Sequence, residues 1–496
     1  MIIHAYKDHN IGVECASIGE VLHVLNHCKI PKNMIVFDSP CKTIPEIHFA
    51  IKEQIHCNLD NFQEYNRVVK YIKENPNMKT GGIGLRINPL VGAGHIKALS
   101  VSTNDSKFGI PITEYNKLKQ CYQDHKWLNC VHVHVGSGGM GAQILCAGIR
   151  IALDFANDIN NQNYHGTDEH ENQIKIIDIG GGLPANYWSN SFKNIDKNIP
   201  NFTEYSELLK IQCPELFQGK YKIYSEFGQS LSSAKCGFLA SRIEYMKFRS
   251  LNQDEVNELK QQQSSSNMNN MNNNGGSEDN NNDDEQEDKI EYKHQLAIIH
   301  FGADCCPRQV YASTSHARRI EAYQANGSNF QPTSTEEVED DDHETKNKKM
   351  KLDIDNDNND DEKKEDKKNK KNTKVIYQTS VGGPLCFQGD FILKNDITSN
   401  ILKSNQLSEK DFIVMKDAGS NTLSLFSRHC SRLKPPVYGY RWKKKNTLNE
   451  TSSSSSLSNK NGSNDMETTN NEISDFFELS PRETMESLSN FWGPIV

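Results

Sequence analysis

The chain has 496 residues, with 65 acidic and 56 basic side chains and a net charge of −9. That balance excludes a strongly basic nucleic-acid binder. Three stretches, Gln261–Asp288, Thr333–Thr373 and Thr447–Asn471, are so rich in Asn, Ser, Asp, Glu and Lys that they cannot bury enough surface to fold; roughly 400 residues remain, room for one large domain and one smaller one.

Short apolar runs alternate with amphipathic stretches from the start. Ile2–His9 reads as a helix with no strand before it. Gly12–Ser17 precedes a helical spacing over Ile18–His27. Met34–Asp38 precedes Pro45–Gln54, where Ile47, Ala50 and Ile51 share a face. Ile55–Asp60 precedes Phe62–Lys73, and Gly82–Asn88 precedes a glycine-rich loop and a polar helix over Ile112–His125. Leu128–Gly136 leads into Ala142–Ile159, and Ile174–Gly180 into a long loop and Phe202–Ile211. Tyr221–Glu226 closes the series. The alternation predicts parallel strands with right-handed crossovers, an α/β barrel whose site lies at the C-terminal ends of its strands. Seven candidate strands are one short of eight, so either the barrel closes in another way or its first strand lies outside the chain.

After Glu226 the strand-like runs Gly237–Lys247, Gln295–Phe301, Lys374–Ser380, Asp390–Leu393 and Asp411–Met415 follow one another without long helices. They predict a separate β-sandwich or β-barrel domain. The expected division is a barrel over 1–235, a β domain over 236–443 with disordered inserts at about 252–290 and 325–373, and a low-complexity tail over 444–496. The Lys-rich runs at 346–351 and 363–374 lie among acidic residues and carry no interleaved aromatics. They read as solvated loop, not as a nucleic-acid platform. Thirteen cysteines in no framework spacing point to a reducing compartment. With no apolar leader at Met1–Asp8 and no membrane-length run, the expected setting is cytoplasmic, with no membrane partner.

Gly180, Gly181 and Gly182 end the sixth run. Backbone without Cβ can approach an anion and aim its amides at it, so the triplet reads as a phosphate cradle or as a plain turn. His132 and His134 share a strand face. They suit a metal pair that lacks a third ligand at matching spacing, a hydrogen-bonded core, or a ring stacked on a flat cofactor, with Ser137 helping to hold a phosphate. Glu226 ends the last run as a salt-bridged stabiliser or the partner of a ring nitrogen. Cys386, in a tight glycine-rich loop, is an inert or a reactive thiol.

Glu14-Cys-Ala-Ser-Ile-Gly-Glu20, Pro40-Cys-Lys42, Leu85-Arg-Ile-Asn88, Ser106-Lys-Phe-Gly109, His134-Val-Gly-Ser137, Asp178-Ile-Gly-Gly-Gly182, Arg308–Tyr311, Gly383-Pro-Leu-Cys386 and Gly389-Asp390 occur in this order. Together they resemble the fold-type III pyridoxal-phosphate decarboxylases of diaminopimelate, ornithine and related amino acids, most nearly the diaminopimelate decarboxylase-like members, over residues 11–440. The resemblance implies an alanine-racemase-like barrel with a C-terminal β domain, pyridoxal 5'-phosphate as cofactor, and homodimers that share active sites. It implies a carboxy-lyase releasing CO2 from a small basic or diamino acid. His134 would stack on the pyridoxal ring, and Ser137, Gly180, Gly181, Gly182, Gly228 and Gln229 would hold the phosphate. Glu226 would pair with the ring nitrogen, Cys386 from the partner subunit would protonate the substrate carbon, and Arg308, Tyr311 and Asp390 would contact substrate. Glu14, Arg86 and Asp178 would line the pocket.

Four departures accompany the likeness. The family's cofactor-tethering lysine would lie before Met1, since Lys7 falls in the helix ahead of Glu14. Glu226-Phe-Gly-Gln229 stands where the family has Glu-Pro-Gly-Arg, Gly419-Ser-Asn421 where it has Gly-Ala-Tyr, and Phe387 where diaminopimelate enzymes have a glutamate. These changes keep a second expectation alive, a catalytically inactive homologue that acts as a dimerising regulator. A scaffold acting through its charged inserts is a third.

Overall fold

The computed structural model describes residues 2–94, 100–138, 140–162, 172–185, 200–233, 236–261, 290–312, 318–330, 374–397, 399–442 and 473–493. Helix α1 (Ile2–His9) precedes an alternation of strands and helices. In order these are β1 (Val13–Cys15), α2 (Ile18–Asn26), β2 (Ile35–Asp38), α3 (Ile44–Lys52), β3 (His56–Leu59), α4 (Phe62–Glu74) and β4 (Ile83–Asn88). The two-residue β5 (Ile110–Pro111), α5 (Tyr115–Asp124), β6 (Cys130–Val133), α6 (Ala142–Gln162), β7 (Ile176–Asp178), α7 (Phe202–Gln212), β8 (Lys222–Tyr224) and α8 (Gln229–Ser232) complete it. The helix starts are written locally. Ser17 caps α2, Asn61 caps α4, and Thr43 with Glu46 and Asn201 with Glu204 form reciprocal capping boxes on α3 and α7.

The strands pair in parallel in the order β1-β2-β3-β4-β6-β7-β8, with β5 beside β4. Every residue of β4 and β6 is buried. Ile83, Leu85, Val131 and Val133 join the apolar core beneath the helices, as expected of strands covered on both faces. The sheet is curled: Asn58 of β3 hydrogen-bonds Asp178 of β7 at 2.9 Å although β4 and β6 lie between them. Among the described residues β1 and β8 are its two edges. No helix among them is long and apolar enough to cross a membrane.

The second unit has its own core around Ile243, Ala297, Val381, Leu402 and Ile413. It begins with β9 (Phe238–Arg242) and β10 (Tyr245–Ser250), and the sequence run expected as one strand breaks there into two that join different sheets. β11 (Ile290–Ile298), β12 (Ile320–Tyr323), β13 (Lys374–Gly382), β14 (Phe391–Asp396) and β15 (Phe412–Lys416) follow. One sheet runs β10-β11-β13-β14, the other β12-β15-β9.

Two expectations about disorder are corrected. The first insert opens with a helix over 253–261, and the second starts with a turn in which the Gln324 amide donates to the Ser328 carbonyl and Asn329 bridges back to Tyr323 of β12; the rest of both inserts lies outside the described residues. The expected tail contains β17 (Ile473–Ser480), paired antiparallel with β16 (Val437–Trp442), and a helix Met485–Trp492 capped by Thr484. Its aromatic and aliphatic residues were outweighed by the Asn- and Ser-rich run before them.

Candidate functional site

Strand alternation sets which side chains enter the curl. Glu14 on β1, Asp38 on β2, Asn58 on β3, Arg86 on β4, His132 on β6 and Asp178 on β7 all reach the interior, and Glu226 joins them just after β8. In the register Arg86 lies beside His132, and His132 beside Asp178. The interior is therefore polar where such barrels are usually filled with branched aliphatic residues. That substitution is costly unless the groups are paired.

Arg86 sends Nη1 to Asp38 Oδ2 at 3.2 Å and stacks its guanidinium over Phe108 at 4.6 Å. The Asp60 carboxylate lies 4.0 Å from the same nitrogen and accepts the Gly109 amide. His132 is fully buried between two carboxylates: Nδ1 is 3.8 Å from Asp38 Oδ1, and Nε2 is 3.7 Å from Glu226 Oε2. These separations suit charge pairing and are too long for hydrogen bonds. Asp38 Oδ1, both ring nitrogens of His132 and Glu226 Oε1 accordingly have no hydrogen-bond partner among the described residues.

Burial alone would lower the His132 pKa, but Asp38, Glu226 and Asp178 push it up to about 9. Burial would raise Glu226, but His132 and His134 outweigh it and hold Glu226 well below the usual carboxylate range. Asp178 is raised to about 7 by burial and by Glu226. Glu14 lies on an edge strand and keeps solvent contact, yet the protein packed round it and the facing Glu226 and Asp38 carboxylates raise its pKa. Among the described residues no lysine pairs with Glu14, Asp38, Asp178 or Glu226.

Three loops converge above this layer. His134, just past β6, accepts the Gly181 amide on Nδ1 at 3.1 Å and has its Nε2 3.2 Å from Ser137 Oγ. The same Nδ1 is 3.5 Å from Glu226 Oε2. Gly180 donates its amide to Asp178 Oδ1 at 3.1 Å. Gly180 and Gly182 adopt φ of 66° and 98°, and a side chain on Gly182 would meet the Gly136 carbonyl; both positions demand glycine. Gly228 precedes α8, and the Gln229 side chain lies against Gly138. The structure thus brings together His134, Ser137, Gly180, Gly181, Gly182, Glu226, Gly228 and Gln229.

The other expected site residues gather in the second unit, around the β13–β14 turn. Cys386 and Tyr311 are exposed, and the Tyr311 and Phe387 rings lie 5.9 Å apart. Arg308 and Tyr311 share the short helix Pro307–Tyr311. Asp390 is buried, and its carboxylate accepts the Ala303 amide at 2.7 Å and the Leu385 amide at 2.9 Å. It fixes the loop that presents Cys386.

Sequence reasoning missed Asp38 and Asn58. The signal was present, since both are polar residues inside or ending short apolar strands. Spacing offered no third ligand beside the two histidines, but the fold brings Asp38, His132 and Glu226 together with ligand atoms within 4.8 Å. The two nitrogens of His132 face different carboxylates, which makes a sandwich of ion pairs and not three donors round one point. Glu226 Oε1, buried and unpartnered, fits the protonated nitrogen of a flat heterocycle, and the glycine loops bring backbone without Cβ beside it.

Residues 1–233 match the family described as "Pyridoxal-dependent decarboxylase, pyridoxal binding domain". Among curated proteins, the diaminopimelate decarboxylase of Bacteroides thetaiotaomicron is 25% identical over 250 residues, which cover 50% of this chain and 60% of that protein. The diaminopimelate decarboxylase of Methanocaldococcus jannaschii is 25% identical over 250 residues, 48% of this chain and 51% of its own. Antizyme inhibitor 2 of Rattus norvegicus is 23% identical over 211 residues, 41% of each chain. The chain therefore spans about half the length of these relatives. Among solved structures, Helicobacter pylori diaminopimelate decarboxylase complexed with L-lysine superposes with a TM-score of 0.60 at 16% identity, over 99% of this chain and 86% of that one. The M. jannaschii enzyme, also with L-lysine, gives 0.61 at 18% identity, over 100% and 82%. At such identities these two establish the fold.

Proposed function

We propose, for a chain whose residues 1–233 belong to the pyridoxal-dependent decarboxylases, that it acts as a carboxy-lyase on a small basic or diamino acid, in the manner of diaminopimelate decarboxylases. The observation that carries this reading is the buried, unpartnered Glu226 Oε1 beside His134 and the glycine loops. Pyridoxal phosphate, when bound, supplies an electron sink for the carbon that loses CO2.

The chain's own residues prepare for that group. Glu226, held ionised chiefly by His132, offers an acceptor for the ring nitrogen. His134 is locked by the Gly181 amide and Ser137, so its flat ring forms a fixed wall. Gly180, Gly181, Gly182, Ser137, Gly228 and Gln229 would hold the phosphate, the Gly181 amide and Ser137 giving up their bonds to His134 for it. Asp390 braces the loop of Cys386, which would present its thiol as the proton donor to a neighbouring subunit's site, with Arg308 and Tyr311 beside it to meet substrate.

A second reading rests on specific observations. Gln229 and Asn421 replace a cation and a tyrosine of the family pattern, no lysine pairs with the interior carboxylates among the described residues, and an antizyme inhibitor stands among the relatives. This reading is a cofactor-binding homologue that regulates by dimerising.

The test is to titrate the protein with pyridoxal phosphate by absorbance, then supply carboxyl-labelled diaminopimelate, lysine, ornithine and arginine. Labelled CO2 supports the carboxy-lyase. Cofactor binding without CO2 from any of these supports the regulator. Absence of binding overturns both.

A further inference from the structure

The interior of the curl holds more negative than positive charge. Glu14, Asp38, Asp178 and Glu226 face one space, and Arg86 turns its Nη1 towards Asp38 and Asp60. So many carboxylates at close range cannot all stay ionised, and some must share protons. Which of them keeps its charge decides whether a ring nitrogen finds an acceptor.

His132 is placed to decide it. The ring is fully buried on the central strand β6, neither nitrogen makes a hydrogen bond, and each faces a carboxylate. The groups facing it are Asp38 from β2, Arg86 from β4, Asp178 from β7, Glu226 after β8, Glu14 from β1, His56 from β3 and His134 at the end of its own strand.

We infer that His132, braced by Asp38, is a positioning residue: as an imidazolium between two carboxylates it reserves the negative charge of the cluster for Glu226. Asp38 reaches Glu226 through His132 with one oxygen, while its other oxygen holds Arg86. The inference concerns the ligand-free protein and rests on the proposed function only where Glu226 serves a cofactor ring. The directions of the titrations agree with it, since His132 is held up at about 9 and Asp178 at about 7 while Glu226 is depressed.

The experiment is histidine ring ¹⁵N NMR on the ligand-free protein, with His132→Gln used to identify the His132 signals. Wild type is expected to show the imidazolium pattern at pH 7 and to lose it only towards pH 9. Asp38→Asn should move that midpoint down by about one pH unit or more, and Asp38→Glu should largely restore it. A second readout is pyridoxal phosphate affinity at pH 7, which should fall about tenfold or more in Asp38→Asn and recover in Asp38→Glu. A neutral His132 ring at pH 7, or an unchanged midpoint in Asp38→Asn, overturns the inference even where the cofactor binds well. If wild type binds no cofactor, the proposed function fails and the NMR result still decides the role of His132. Should His132→Gln not fold, the signal that moves in Asp38→Asn and returns in Asp38→Glu identifies the ring.

Discussion

At the residue scale the site depends on charges that the fold has made abnormal. Glu226→Gln keeps the shape and removes the anion that would face a ring nitrogen. Cofactor affinity should drop about tenfold to a hundredfold, read by titration, and Tm should fall as well because the buried His132 loses one of its two facing carboxylates, read by calorimetry. Unchanged affinity would remove Glu226 from the ring-nitrogen role. Stability should also fall as pH rises from 7 to 9. The folded His132 holds its proton to about 9, against about 6.5 in an unfolded chain. Its contribution is therefore complete below about 6.5 and is lost as pH climbs through the folded value. Glu14, also raised, acts in the same sense, because the folded form keeps a proton that the unfolded chain has released. Glu226, depressed, contributes above its unfolded value and loses that contribution only as pH falls further. Each kcal/mol lost should lower Tm by roughly 2–4 °C, and a Tm that is flat or rising from pH 7 to 9 would contradict the charge assignments. His132, His134, Glu226 and the glycine triplet could be picked out along the chain because each is an unusual residue in an apolar run. Asp38 could not be matched with His132, because nothing in local spacing says that β2 and β6 share an interior.

At the element scale the loop joining β2 to α3 is pinned by a buried ion pair. Lys42 Nζ lies 2.9 Å from Glu64 Oε2 and also donates to the Asn58 carbonyl at 2.8 Å, while Glu64 accepts the Lys42 and Asp60 amides. Lys42→Met should cost about 3–5 kcal/mol in urea unfolding, since it strands a buried carboxylate; a loss below about 1 kcal/mol would mean that water reaches Glu64. Gly182→Ala forces a side chain into positive φ and against the Gly136 carbonyl. It should lower Tm and abolish most cofactor binding together, because the loop carrying His134 must move. A variant that binds normally would show that the triplet is only a turn. The β17 strand and the helix after it were the elements least visible in the sequence. Their register with β16 is closed by Arg428, which pairs with Glu483 at 2.8 Å through Nη1, and by the Lys434 amide, which donates to the same carboxylate. These partners lie far apart along the chain, and a low-complexity run precedes them.

At the whole-molecule scale the proposal that subunits share active sites has its own test. On the carboxy-lyase reading, Cys386→Ala and Glu226→Gln should each be nearly inactive alone. Mixed and allowed to exchange, they should recover about a quarter of wild-type activity, because half of the dimers are mixed and each has one intact site. No recovery would place Cys386 and Glu226 in the same subunit's site, and an active Cys386→Ala would remove Cys386 from the chemistry. The sequence by itself determined the alternation of strands and helices up to Glu226 and the loops that carry glycine and histidine. Those features follow from local pattern, namely hydrophobic period, capping residues and the absence of Cβ. Only the tertiary structure decided which charges meet. Curling the parallel sheet carries Asp38, His132 and Glu226 from distant parts of the chain into one space. In that space the energy of each charge is set by its neighbours across the interior, and sequence spacing does not encode those neighbours.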